Sequence, residues 1–333
     1  MPHTRPGGRA RSTRIIRCAA LPVLLVLLAV AFVLALGLGP RSGVGLTSPT
    51  VLAGRLPRAI VATLVGASLA LAGTILQAVF RNPLADPGII GVSSGAAVGA
   101  VAAMVTGLAS TTVWALPLSA FLGALGTAVV VYLIAARRGA DPITLVLVGI
   151  AASAFLGAVT SAIVSNAPTD SDLRGIAFWM NGDLVARQWY HVPMVAIPLL
   201  IGVVGVVPLV RRLDLLLLGE DIAHSTGVDL TRTRIAALGV ASLVTAGAVA
   251  VSGVIGFVGL VVPHLVRLVL GPRHGLLLPT AAVAGSVFLL IADTLARNAG
   301  LSVVFQTGTI VAFLGSPIFL WLLLSSRRRW TQA

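Results

Sequence analysis

Unbroken apolar blocks of roughly 20 residues recur along this chain, and a helix of that length crosses about 30 Å of hydrocarbon. No other feature limits the fold as tightly. Hydrophobic residues make up 57% of the chain and charged residues 10%, whereas soluble domains carry about 25% charged residues. The composition excludes an ordinary soluble enzyme and a disordered chain. Apolar segments fall at 18–38, 59–80, 89–108, 113–136, 143–165, 192–210, 235–251, 254–270, 276–295 and 303–324. The expected fold is an all-α polytopic membrane protein with about ten transmembrane helices, one per segment. The seventh and eighth segments almost touch, so one of them is expected to be short or broken.

The charges say how the segments are oriented. There are 23 basic and 10 acidic residues, a net +13, and every basic residue is arginine. Without lysine the chain has no Walker A loop and no lysine Schiff base. The arginines cluster between apolar blocks, as the positive-inside rule predicts, and do not form a nucleic-acid footprint. With the amino terminus in the cytoplasm, 17 arginines fall inside and 6 outside. The expected organisation is an Arg-rich cytoplasmic tail (1–17), one transmembrane domain (18–325) and a cytoplasmic C-terminal tail (326–333). The first apolar run exceeds the 7–15 residues or so of a secretory signal core, so it is expected to remain as a span. The single cysteine, Cys18, excludes an intramolecular disulfide and a thiolate metal cluster. The five histidines lack metal-ligand spacing, and neither metal nor cofactor is expected.

Ionisable groups inside a membrane are functional suspects, and this chain has few. Asp293 precedes Arg297 by four residues, which places both on one helical face and predicts an outward-facing ion pair. His264 follows Pro263, and Arg267 lies a turn later; a kink held by local polar contacts is expected there. The lack of buried carboxylates argues against an ion-driven carrier. No nucleophile, base and metal set shares one depth, so an intramembrane enzyme is not expected. Small residues (Gly66, Ala70, Gly73; Gly95, Gly99; Gly253, Gly256, Gly259) allow close helix approach in lipid. Two connections are long. The outer one, 166–191, carries Asp170, Asp172, Arg174, Asp183, Trp189 and Tyr190, and reads equally as an interfacial aromatic belt or a docking or gating element. The inner one, 211–234, holds apolar Leu215–Leu218 and a stretch framed by Gly219 and Gly227, which predicts a short amphipathic helix at the cytoplasmic surface.

An ordered set of strings then becomes specific. Arg55-Leu-Pro-Arg58, Gly73-Thr-Ile-Leu-Gln77, Arg81-Asn-Pro-Leu-Ala-Asp-Pro87 and Gly91-Val-Ser-Ser-Gly-Ala96 come first. Leu218-Gly-Glu220, Gly256-Phe-Val-Gly-Leu-Val-Val-Pro-His264, Leu278-Pro279, Ala292-Asp293 with Arg297, and Gly315-Ser-Pro317 follow. Across roughly 46–324 the chain resembles the iron–siderophore and cobalamin family of ABC importer permeases. One departure is Val304-Phe-Gln-Thr-Gly308, where the family commonly has Glu-Leu-Pro-x-Gly.

The resemblance implies a ten-helix, type II importer subunit that pairs with a second permease, identical or homologous, around a central pathway. It further implies a cytoplasmic ABC ATPase dimer and an extracytoplasmic substrate-binding protein, with a ferric-siderophore-like ligand as cargo. In such permeases the loop between the sixth and seventh helices docks on the ATPase, which here nominates Leu218, Gly219, Glu220, Ala223 and Gly227. Arginines matching Arg55, Arg58 and Arg297 meet acidic residues of the binding protein. Cobalamin or haem is the alternative cargo; a secondary transporter and a purely structural subunit are the rival classes.

Overall fold

The structure is a computed structural model that describes residues 7–38, 48–49, 51–137, 141–217, 226–227, 229–298 and 305–330. Its described regular elements are all helical. Helices α1 (Gly7–Gly37), α2 (Leu56–Val79), α3 (Val92–Val105), α4 (Ala115–Ala136) and α5 (Pro142–Val164) form the first half. After the short α6 (Asp170–Met180) come α7 (His191–Val206) and α8 (Val210–Leu217). The last four are α9 (Leu230–Ser252), α10 (Val258–Leu270), α11 (His274–Asn298) and α12 (Thr307–Trp330).

Among the described residues, eight stretches are long and apolar enough to span a membrane, and α3 and α10 are shorter apolar helices. Ten apolar segments were expected, and ten are found. The short one is the eighth, because α9 ends at Ser252 and α10 starts only at Val258, with 13 residues. The first and last spans, Ala19–Gly37 and Thr307–Leu324, match the expected segments, and both helices run on past them. α1 begins at Gly7 and α12 runs to Trp330, so much of each arginine-rich end continues a helix.

Helix starts follow local chemistry. The Asp141 carboxylate accepts the Ile143 and Thr144 N–H groups ahead of α5, with Pro142 in the first turn. Asp229 accepts from Arg232 ahead of α9, and Thr169 from Asp172 ahead of α6. Each satisfies N–H groups that have no partner within the helix.

α2 and α9 form the centre, and most of their residues are buried. α11, α10 and α7 pack around α2, while α3 and α4 pair on the other side of α9. Glycine permits the closest approaches. A Cβ on Gly66 would run into the Gly285 carbonyl, and one on Gly73 into that of Gly259. Ser286 Oγ donates to the Thr63 carbonyl at 2.8 Å across the same α2–α11 contact. Hydroxyls elsewhere in the spans donate back one turn, as Thr74 does to Ala70 and Thr245 to Ala241, which removes an unpaired polar group from the apolar interior.

Candidate functional site

The break between α9 and α10 explains two of the sequence strings together. Gly73 and Gln77 lie one turn apart on α2; the first lets the chain approach, and the second reaches it. Gln77 Nε2 donates to the Leu260 carbonyl at 3.0 Å. Phe257, at the start of α10, has φ of 64°, in the left-handed region, and its ring packs on Gly315. Gly253 and Gly308 come together beside Gly182, and Gly308 N–H donates to the Gly182 carbonyl at 2.9 Å. Gly308 therefore keeps a close-packing place although Glu and Pro of the usual string are absent.

The predicted arginines converge at one end of the bundle. Arg58 Nε lies 3.1 Å from both Asp293 oxygens, and its Nη2 lies 2.8 Å from Oδ1. Arg297 Nε is 3.3 Å from Asp293 Oδ2, and its Nη2 donates to the Ala35 carbonyl at 3.0 Å. Thr307 Oγ1 donates to Asp293 Oδ1 at 2.9 Å. Arg55 Nη1 donates to the Leu36 and Gly37 carbonyls at the end of α1. The Asp293–Arg297 pair forms as expected, but it is not outward-facing. Asp293 is fully buried, and the Arg58 and Arg297 side chains are 12% and 11% exposed. The reason is that Arg58, from the first turn of α2, reaches across to Asp293 on α11 and covers it. Three guanidiniums against one carboxylate leave this cluster positive.

At the opposite end, α8 is tied to α11. Asp214 Oδ1 accepts the His274 backbone N–H at 2.8 Å and meets His274 Nδ1 at 2.7 Å. Leu213 and Leu216 are buried against the core, and Arg211 and Arg212 face out. α8 is thus the stem of the predicted cytoplasmic loop. Of the loop's nominated residues, Leu218, Gly219, Glu220 and Ala223 lie outside the described residues. Gly227 sits in a turn with φ of 77° and open space about its Cα.

Other expectations fare differently. Pro263 lies inside α10, but local polar contacts do not hold its neighbours. His264 Nδ1 and Arg267 Nε and Nη2 are buried with no hydrogen-bond partner. The 166–191 connection is not a plain loop. Its α6 buries Ile176 and Trp179, while Trp189 and Trp114 stay about half exposed, as in an interfacial aromatic belt. In the adjoining turn, burial lowers the pKa of Arg187, which nearby Asp183 partly offsets. Sequence reading missed Thr307, the Asp214–His274 tie and Arg187. Only Thr307, inside the string that departs from the family, carried a signal.

Comparison with known proteins places this geometry. The chain is 47% identical over 270 residues to the cobalamin import system permease protein BtuC of Halobacterium salinarum, covering 81% of this chain and 72% of that one. It is 40% identical to the hemin transport system permease protein HmuU of Yersinia pestis, covering 83% of both. A solved metal-chelate type ABC transporter in an inward-facing conformation superposes with a TM-score of 0.85 at 33% identity, covering 92% of this chain and 98% of that one. The profile of the FecCD transport family matches residues 23–325. The chain belongs to that family, the FecCD/BtuC type of ABC permease.

Proposed function

We propose that this chain is the membrane-spanning permease of an ATP-driven importer that takes up a ferric-siderophore-like metal chelate. One observation supports an externally powered pathway over an ion-driven carrier. The apolar helices contain two acids, Asp214 and Asp293, and each is held by its own partners. Neither is left to relay a proton or bind sodium. ATP hydrolysis then belongs to a cytoplasmic ATPase dimer docked on the 211–234 loop through Leu218, Gly219, Glu220, Ala223 and Gly227. A second permease subunit would pack on α5, whose exposed Ala151, Ala154, Ala158 and Ser161 make a small-residue face.

An extracytoplasmic binding protein would dock on the positive end formed by Arg55, Arg58 and Arg297. Arg58 and Arg297 also hold Asp293, so reversing them confounds docking with stability. Arg55→Gln is the cleaner probe, with reduced binding-protein docking expected at low salt and normal ATPase co-purification. Both termini would then be cytoplasmic. In a Cys18→Ser background, a thiol at Thr169 should react with an impermeant reagent in intact cells and one at Ala140 should not.

Cobalamin is the second reading, favoured by the higher identity to the Halobacterium relative than to the hemin relative. Uptake of radiolabelled ferric chelates and of radiolabelled cobalamin in a deletion strain separates the two. Rescue of cobalamin uptake alone would overturn the siderophore assignment.

A further inference from the structure

Between residues 110–112, the end of α6 and the 186–191 turn lies a cleft of about 490 Å³. A second cavity of about 210 Å³ runs between α4 and α7. Pro117 and Ala250 line both, so the two adjoin. Their chemistry differs sharply. The first is lined by Ser110, Thr111, Thr112, Trp179, Arg187 and His191. The second is lined by apolar side chains, among them Trp114, Leu118, Phe121, Met194 and Ile197.

The polar cleft has donors without acceptors. Arg187 Nε and Trp179 Nε1 are buried and have no hydrogen-bond partner. Arg187 Nη2 does donate to the Asp183 carbonyl, at 3.1 Å, while the Asp183 carboxylate accepts from Val185 N–H at 3.0 Å. His191 Nδ1 accepts the Gln188 N–H at 3.1 Å, which leaves Nε2 of the neutral ring as a donor. Buried groups of this kind are normally paired, and each exception calls for a partner. Ala186 holds the turn with φ of 57°, a left-handed backbone that alanine rarely adopts.

The apolar groove opens sideways rather than inward. Trp114, Leu118 and Ile197 are 49%, 54% and 57% exposed, on helices whose outer faces meet lipid in a membrane. Trp114 and Tyr190, 6.4 Å apart between ring centroids, sit where groove and cleft join, as aromatic side chains do at the headgroup boundary.

We propose that this two-part cleft binds an anionic phospholipid. Its phosphate sits among Arg187, the Thr112 hydroxyl and the Trp179 indole N–H, since Ser110 and Thr111 already donate to the Gly107 and Leu108 carbonyls, and one acyl chain lies along the α4–α7 groove. A free anion would leave the groove empty, and a lipid of no net charge would leave the burial of the guanidinium offset only in part, by Asp183. No residue of the Asp293 cluster lines either part, although Arg58 adds to the positive field at Arg187, and the site does not depend on which chelate is carried.

Delipidated, purified permease titrated with phosphatidylglycerol, phosphatidylcholine or inorganic phosphate tests this, with thermal unfolding as the readout. Phosphatidylglycerol should stabilise the wild type, and the other two should not. Arg187→Gln should weaken the phosphatidylglycerol effect by about tenfold or more in half-saturating concentration, the loss expected for a hydrogen bond to a charged group. Ile197→Trp and Leu118→Trp, at exposed positions that preserve folding, should weaken it as well by filling the groove. Equal stabilisation by phosphatidylcholine would reduce the site to ordinary annular lipid and overturn the proposal. Stabilisation by phosphate alone, indifferent to the groove variants, would identify a free-anion site and overturn it too. If Arg187→Gln fails to fold, the groove variants still decide.

Discussion

Arg58 grips Asp293 through two nitrogens although 235 residues separate them in the chain. Asp293 has no exposed surface, so its charge is matched by Arg58, Arg297 and the Thr307 hydroxyl rather than by water. Removing one member of a buried ion pair costs about 3–5 kcal/mol, because the remaining charge is left uncompensated. Asp293→Asn should destabilise by that amount in detergent thermal unfolding. Thr307→Val should cost about 1.5–3 kcal/mol, the range for a hydrogen bond to a charged group. The double variant should cost less than the sum, since both act on one carboxylate. Unchanged unfolding of Asp293→Asn would mean that the cluster adds nothing to stability.

Gly73→Ala should be far more damaging than its size suggests. The added methyl meets the backbone of Gly259, not a movable side chain, so α2 and α10 must separate. Overpacking costs about 1–3 kcal/mol typically, and a backbone obstacle belongs at the upper end. Gly126→Ala on α4 is the control, because nothing lies within 4 Å of its added carbon. Its unfolding temperature should stay at or above that of the wild type.

Asp86 offers a pH test outside the spans. Burial raises its pKa above the ordinary 3.8, partly offset by the Gly88 N–H it accepts. The folded state therefore holds the proton more tightly than the unfolded chain. The sign follows: this group's contribution is greatest below 3.8 and falls as pH rises towards the folded value. Asp86→Asn keeps an oxygen for Gly88 and should flatten that part of the stability–pH curve while raising stability at neutral pH. Asp86→Ala also loses the cap, at about 1 kcal/mol. A steeper curve for Asp86→Asn would refute the assignment.

The proposed ATPase contact on the 211–234 loop is tested by function. Glu220→Arg and Gly227→Leu should leave the permease folded and lower uptake by about tenfold for each 1.4 kcal/mol of docking energy lost. ATPase stimulation by loaded binding protein should fall in parallel. Gly227→Leu adds backbone strain, since its φ of 77° suits glycine. Normal stimulation in both variants would place the ATPase contact elsewhere.

The sequence carried the spans because lipid imposes one rule at every turn: the apolar run must be long enough. It carried the packing glycines for a similar reason, as Gly66 and Gly73 repeat at helical intervals and each meets a neighbouring backbone. The spacing of Asp293 and Arg297 was readable, but their burial was not. Burial depends on Arg58 arriving from α2, and no local pattern records a contact across 235 residues. The Asp214–His274 tie escaped for the same reason, with 60 residues between its partners. Arg187 escaped because an arginine in a polar turn looks solvated until the fold sets it beside Trp179 and His191.

α11 joins the two ends of the molecule. Its first residue, His274, is fastened to α8 at the stem of the loop, and Asp293, near its last, is fastened to α2 and α12. Its 25 residues measure about 37 Å at 1.5 Å each. Along the way it lies against α2 backbone to backbone at Gly66 and Gly285, with no compressible side chain between. One continuous helix thus ties the loop stem to the Asp293 cluster at the far face, and Pro279, in its second turn, is where that helix can bend.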